Sequence, residues 1–120
     1  MQSRAGIFRT GAELEEAVER IGDLRRRWAR VRAPGRRTYN PGWHLVFDLR
    51  NLLVVAEAVA RCALQRRESR GGHARLDFPG PDLEWGKMNG VVTRDGEAMR
   101  VATSPLPEMP AELRALMAKA

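Results

Sequence analysis

The 120-residue chain carries one cysteine, one tyrosine and two histidines, and Lys87 and Lys119 are its only lysines. A lone Cys62 excludes an internal disulfide and fits a reducing compartment. Together with His44 and His73 it offers no metal-ligand spacing. No apolar run approaches the roughly 18 residues that cross a bilayer, because Asp48, Arg50 and Glu57 interrupt the longest one, so no direct membrane insertion is expected. The N-terminus lacks a basic-then-apolar signal pattern, and the expected location is cytoplasmic. Gly-x-Gly-x-x-Gly and the phosphate-binding loop are missing too, leaving no visible nucleotide or dinucleotide site.

What is present describes one small folded domain. Apolar content of 43% and charged content of 30% are too apolar for disorder, and the length allows a modest core. The net charge of +6 comes almost wholly from arginine. Arg25, Arg26, Arg27, Arg30, Arg32, Arg36 and Arg37 could form a phosphate-binding stripe. Aromatic interleaving is poor, however. Trp28 falls on an apolar stripe, only Tyr39 stands among the polar positions, and no nucleic-acid-binding module accompanies the charge. A solvated basic surface is the preferred reading, and nucleic acid is not an expected partner. A free-standing basic helical module that binds nucleic acid or an acidic protein is the alternative.

Periodicity places two long helices. Thr10-Gly11-Ala12-Glu13 reads as a capping box, and Leu14, Val18, Ile21, Leu24, Trp28 and Val31 recur every three or four positions. The first helix is predicted from about Gly11 to Arg32, ended by Ala33-Pro34-Gly35. Asn40-Pro41 supplies an N-cap and a first-turn proline for a second helix from about Gly42 to Arg67. Its apolar set, from Leu45 through Leu64, is broad enough to imply contact on more than one side. The two helices should pack antiparallel, with Gly71 as the left-handed cap of the second. Pro79-Gly80-Pro81 reads as a rigid turn and Trp85 to Asn89 as irregular. Residues 90–93 and 97–101 read as a hairpin around Arg94-Asp95-Gly96. Prolines 105, 107 and 110 suggest an extended linker, with Pro110 starting a short last helix through Leu113, Leu116 and Met117.

Six polar side chains crowd the ten residues from Glu68 to Asp77, at the end of the most apolar helix. Ser69, His73 and Asp77 invite a nucleophile reading, but they straddle a Gly-Gly turn and nothing resembles a nucleophile elbow. Two readings stay open from the residues alone. One is a solvated helix end with local ion pairs. The other is a surface that docks against another protein layer, with Arg70 and Arg75 supplying bidentate donors and two glycines permitting close approach.

Two runs carry a family resemblance. Asp48-Leu49-Arg50-Asn51-Leu52-Leu53-Val54-Val55-Ala56-Glu57, then Arg67-Glu68-Ser69-Arg70-Gly71-Gly72-His73-Ala74-Arg75-Leu76-Asp77-Phe78-Pro79, resemble the C-terminal helical domain of the succinate dehydrogenase/fumarate reductase flavoprotein subunit. Gly6-Ile7-Phe8-Arg9-Thr10, Asn40 and Trp85-Gly86-Lys87 match as well. L-Aspartate oxidase shares the Glu-Ser-Arg-Gly-x-His run and the Leu-Arg-Asn-Leu before it. The His73-x-Arg75-x-Asp77-Phe78-Pro79 ending and Trp85-x-Lys87 favour the succinate/fumarate branch.

The resemblance implies an FAD-dependent oxidoreductase passing electrons to an iron–sulfur subunit and then quinone. It also implies that the flavin-binding fold and the catalytic residues lie upstream of anything matching this chain. No catalytic, cofactor-binding or metal-binding residue is therefore assigned, and FAD belongs to the parent enzyme rather than to this chain. Glu68, Ser69, Arg70, Gly71, His73, Arg75 and Asp77 are expected to form a docking and bracing motif. It would face the flavin-binding and capping domains or the iron–sulfur subunit, and association with the inner membrane would be peripheral, through partner subunits. Gly72 departs from the family, which usually has a side chain there. The family's domain also starts with a longer helix ahead of the stretch matching Met1 to Ala5, so a truncated pair would expose apolar surface and self-associate. The expected fold is mainly α: an antiparallel long-helix pair, spectrin-repeat-like, with a small hairpin and a short helix. Residues 1–89 form the helical family part and 90–120 the hairpin and tail of a single domain.

Overall fold

Thr10 starts the first helix as its sequence requires. In a computed structural model, which describes Met1 and residues 4–117, α1 spans Gly11–Trp28 and α2 spans Pro41–Gln65. The Thr10 hydroxyl accepts from the Glu13 N–H at 3.3 Å, and the Glu13 carboxylate accepts from the Thr10 N–H at 2.8 Å. Asn40 Oδ1 accepts from the Gly42 N–H at 2.9 Å, with Pro41 in the first turn.

Both helices end earlier than their periodicity suggests. α1 stops at Trp28 rather than Arg32, where the Trp28 indole N–H anchors the helix end by donating to the Val46 carbonyl of α2 at 2.8 Å. The Arg30 and Val31 N–H groups then tighten into bonds to the carbonyls three residues back, and Pro34 holds Ala33 out of helical geometry. α2 ends at Gln65 rather than Arg67, with Arg66 extended at ψ 106°. Gly71 is left-handed, at φ 56°, but it does not cap the helix. It sits in a separate turn closed by reciprocal Arg70–His73 backbone bonds of 2.8 and 3.0 Å. A Cβ at Gly71 or Gly72 would meet no atom of this chain within 4 Å.

The helices pack antiparallel around Ala17 and Ile21 of α1 and Leu53 and Ala60 of α2, with Val18, Trp28 and Ala56 closing the sides. Leu14 and Ala60 are fully buried. The alanines are what let the backbones approach. Glu57 is buried in the same seam, where Arg25 donates to it across the helices and Arg61 Nε donates at 2.8 Å.

Beyond α2 the chain returns through β2 (Ala74–Arg75), which pairs in parallel with β1 (Phe8–Arg9) ahead of α1. Trp85–Lys87, expected to be irregular, forms a 3-10 turn because Asp82 Oδ1 accepts from the N–H groups of Glu84 and Trp85 at 2.8 and 2.9 Å. The hairpin is longer than expected: β3 (Met88–Asp95) and β4 (Ala98–Pro105) pair from Asp95↔Ala98 to Met88↔Pro105. Its loop is Gly96-Glu97, with Gly96 at φ 59°, rather than Arg94-Asp95-Gly96. Pro105 closes the strand instead of opening a linker, which a strand-end proline tolerates. A short helix, α3 (Ala111–Met117), follows Pro110, whose carbonyl accepts from the Arg114 N–H at 3.0 Å. The last three positions of the 90–120 tail lie outside the described residues.

The outline is elongated, 63 × 34 × 28 Å, with a radius of gyration of 19.0 Å, against about 14 Å for a compact chain of this length. Accessible surface reaches 9475 Å², where the size scaling gives about 6,500 Å². Many large apolar side chains are among the exposed ones. Leu45, Leu52, Val55 and Val59 fall on one face of α2 by helical spacing and are all exposed. α2 therefore has α1 on one side and the hairpin on a second, where Val54 lies near Val92 and Met99. Its third side is open. Among the described residues no helix is long and apolar enough to cross a membrane.

Leu14→Ala is expected to destabilise this chain by about 2–5 kcal/mol, read as a lower denaturation midpoint. Leu52→Ala, on the open side of α2, should change it by less than about 0.5 kcal/mol.

Candidate functional site

The two-residue ladder between β1 and β2 places a polar hub where the two helices end. The Ala74 N–H donates to the Ile7 carbonyl at 3.1 Å and the Leu76 N–H to the Arg9 carbonyl at 2.9 Å. Arg75, only 3% exposed, is thereby held between the C-terminus of α2 and the N-terminus of α1.

Its guanidinium serves both ends. Nη1 donates to the carbonyls of Ala63, Leu64 and Arg66 at 3.0, 3.1 and 3.2 Å, the acceptors a terminating helix leaves unpaired. Nε and Nη2 grip Asp77 in a bidentate pair at 2.8 and 2.7 Å. Asp77 Oδ2 in turn accepts from the Gly11 N–H, in the first turn of α1, at 3.0 Å. A cation thus sits at a helix C-terminus and an anion at a helix N-terminus, each favoured by the local dipole. Gly11 leaves room there: a Cβ would meet Arg75 Nη2 and Asp77 Oδ2 at 3.1 Å each, a tight contact.

A second knot forms around Glu68, which is completely buried. Arg66 Nη1 donates to its carboxylate, and Arg70 donates through Nε and Nη2 at 3.1–3.2 Å. The Asp82 N–H completes the set at 2.8 Å. Arg66 also donates to the carbonyls of Trp85 and Met88 at 3.0 and 2.7 Å and stacks over the Trp85 ring at 5.4 Å. Arg66 is therefore the tie between the helix end and the start of the hairpin. Gly86 admits Arg70, whose Nη2 would lie 2.7 Å from any Cβ placed there.

Ser69 links the two knots. Its hydroxyl accepts from the Arg75 N–H at 2.8 Å and donates to the Phe78 carbonyl at 2.8 Å, while its own N–H donates to the Gly80 carbonyl at 2.9 Å. His73 Nε2 lies 3.2 Å from the Arg66 carbonyl, which assigns that nitrogen as the donor. Ser69, His73 and Asp77 make no hydrogen bond to one another, and the arrangement has no nucleophile–base pair.

Charge states follow from these contacts. Burial pushes the Glu68 carboxyl up, but hydrogen bonds from Arg70, the Asp82 N–H and Arg66 outweigh it and bring its pKa to about 2. The Arg75 hydrogen bond holds Asp77 well below the usual carboxylate range against the opposing effect of burial, with the Gly11 N–H assisting. Burial lowers the His73 pKa, and the positive charges of Arg9, Arg75 and Arg66 lower it further.

All seven sequence-predicted positions, Glu68, Ser69, Arg70, Gly71, His73, Arg75 and Asp77, meet in this hub. The Arg75 fork is turned inward, so it cannot offer donors to another protein layer; Arg70 keeps an exposed outer edge. Sequence reasoning assigned no role to Arg9, Arg66, Asp82 or Gly86. Arg9, itself buried, donates to the Gly72 carbonyl at 3.3 Å. Only its position beside the Thr10 cap and the adjacency of Arg66 to Glu68 hinted at their part. Exposed Ile7, Phe8, Leu76 and Leu83 surround the hub.

At the start of each long helix some backbone donors are already paired. In α1 the Gly11 and Glu13 N–H groups are taken by Asp77 and Thr10, and in α2 Gly42 is taken by Asn40 after Pro41. Among the described residues there is also no cluster of side chains able to hold a metal ion.

The family described as fumarate reductase flavoprotein C-term matches residues 1–116. A fumarate reductase flavoprotein subunit of Mycobacterium tuberculosis is 37% identical over 108 residues, 88% of this chain and 18% of that protein. An L-aspartate oxidase of Acinetobacter baylyi is 40% identical over 93 residues, 78% of this chain and 16% of that one. The solved Sdh1 complex of Mycobacterium smegmatis in its apo form superposes with a TM-score of 0.76 at 44% identity, covering 88% of this chain and 18% of its counterpart. The chain thus spans under a fifth of the length of these relatives.

Because Glu68 has a folded pKa near 2 and an ordinary value of 4.5, its contribution to stability is present above about pH 4.5. That contribution is lost as pH falls through about 2. Asp77, also depressed, adds a loss in the same direction. Glu68→Gln should flatten the acid limb of a denaturation-midpoint profile between about pH 4.5 and 2, while lowering stability at pH 7.

Proposed function

The chain belongs to the fumarate reductase flavoprotein C-terminal family, and we propose that it works as the bracing and docking domain of an FAD-dependent succinate dehydrogenase/fumarate reductase-type enzyme. It carries no catalytic group of its own. The observation that carries this reading is the closure of the hub. Its buried charges are satisfied inside the chain, which suits a rigid brace, and the groups left outward are the Arg70 edge, the Gly71 turn, His73 and the apolar residues around them. Such a rim of apolar and fixed polar groups is what a protein–protein contact uses.

The open face of α2 fits the same role. Leu45, Leu52, Val55 and Val59 are positioned for a third layer, which would complete a spectrin-repeat-like bundle. Residues 1–89 would form the bundle part of this domain and 90–120 the hairpin and tail. FAD would be held by other parts of the parent; in this chain the Gly11 and Gly42 N–H groups at the two helix starts already donate to Asp77 and Asn40. The partners would be the flavin-binding and capping domains and the iron–sulfur subunit, with peripheral rather than inserted membrane association in a cytoplasmic setting.

An L-aspartate oxidase parent is the second reading, favoured by the similarity to the Acinetobacter protein. His73-x-Arg75-x-Asp77-Phe78-Pro79 and Trp85-x-Lys87 favour the succinate/fumarate branch instead.

Docking is tested by co-expressing this chain with a separately encoded flavin-binding part and measuring co-purification. Arg70→Ala with His73→Ala should lower retention by about tenfold, equivalent to roughly 1.4 kcal/mol, in a variant that circular dichroism shows to be folded. Purified alone, the chain should be colourless. Flavin absorbance retained through dialysis would sink the assignment of FAD to other parts of the parent.

A further inference from the structure

We propose that the loop end of the helix pair, opposite the polar hub, is a second docking surface that takes an acidic peptide segment bearing one large apolar anchor. Between Asp23 and Asp48 the chain has seven arginines and no carboxylate. Arg25 pairs with Glu57 and Arg26 with Asp23. Arg32 donates only to the carbonyls of Ala29 and Val31. Among the described residues, the guanidinium groups of Arg27, Arg30, Arg36 and Arg37 meet no carboxylate. With Arg32, five cations without a carboxylate partner therefore lie in the segment at one end of an elongated molecule, and the acidic residues that flank it in the sequence are Asp23 and Asp48.

The same end contains a groove of about 440 Å³. Ala33, Trp43 and Phe47 line it together with Arg36 and Arg37. The walls are fixed in advance. Trp43 stacks on His44 at 3.7 Å, meets Phe47 edge-on at 5.9 Å, and its indole N–H donates to the Arg37 carbonyl at 3.3 Å. Asn40 Nδ2 donates to the Pro34 carbonyl at 2.8 Å, and the left-handed Gly35, φ 100°, lets the loop fold over it. Preformed apolar depth beside fixed cations suits a side-chain anchor flanked by carboxylates, because little ordering is needed on binding. Tyr39 adds a further sign of use. It holds a left-handed backbone, φ 55°, that a side chain disfavours, and its ring is 99% exposed with no contact to offset that strain.

This geometry separates the acidic segment from single-stranded nucleic acid. Single-stranded nucleic acid needs successive free aromatic faces, and one face of Trp43 is covered by His44. Trp43, Phe47 and Tyr39 are all partly or fully exposed at this end, so a bilayer surface is the competing partner that the vesicle arm of the test separates.

The test uses the full chain and a fluorescein-labelled peptide, Asp-Glu-Glu-Phe-Glu-Glu-Asp, followed by fluorescence anisotropy. Saturable binding is expected. It should weaken about tenfold in Arg36→Glu with Arg37→Glu, and about fivefold when the peptide's phenylalanine is replaced by serine. Arg94→Glu, on the hairpin, should leave it unchanged, and circular dichroism confirms that each variant is folded. The proposal is overturned by absence of binding at millimolar peptide, by equal affinity for the serine peptide, or by indifference to the double substitution. Tighter binding to phosphatidylserine vesicles or to an oligo(dT) strand would overturn it as well, assigning the surface to lipid or nucleic acid.

Discussion

Two helix ends of opposite polarity must be satisfied at one place, and Arg75 with Asp77 does both at once. The last carbonyls of α2 accept from the Arg75 guanidinium, the first N–H of α1 donates to Asp77, and the two side chains grip each other between them. Removing Asp77 would leave the buried Arg75 charge and the Gly11 N–H without that partner, and removing Arg75 would strip the last carbonyls of α2 of their donor. The β1–β2 ladder, the Ser69 link and Gly11 all follow from holding that pair in position. Glu68 repeats the solution for the segment that leads to the hairpin, with arginines from both sides of the turn.

The result is a domain whose polar groups are turned inward at one end while large aliphatic groups face outward along its length. For a free-standing chain of this size that is the reverse of the usual arrangement. The excess of accessible surface over the size scaling, about 3,000 Å², is of the order that two substantial protein–protein contacts would cover. The chain belongs to the fumarate reductase flavoprotein C-terminal family, and the relatives it matches are about five times longer. The hub gives such a domain shape; the α2 face and the arginine-rich loop end give it surfaces.

Much of the fold was legible because short-range rules set it. The capping box at Thr10, the Asn40-Pro41 start, the apolar spacing of both helices and the Gly96 hairpin turn all act within a few residues. The helix ends were less so. α1 stops at Trp28, where the indole bonds to Val46, eighteen residues on, and α2 stops at Gln65, where Arg75 caps it; neither contact is written in local propensity. Gly71 was rightly read as left-handed but assigned to the wrong element, since a positive φ serves a turn as well as a helix cap.

The candidate site divides in the same way. The sequence alone determined which residue types would crowd into one loop, which helix they would follow, and that no nucleotide or metal pattern accompanies them. It could not say which way each side chain points. Only the tertiary structure decided that Arg75 turns inward to cap α2, that Glu68 is buried among Arg66, Arg70 and the Asp82 N–H, and that Arg9 joins from the other end of the chain. A guanidinium fork carries the same charge in either orientation. The backbone groups that attract it are orphaned only after the helices have formed and come together.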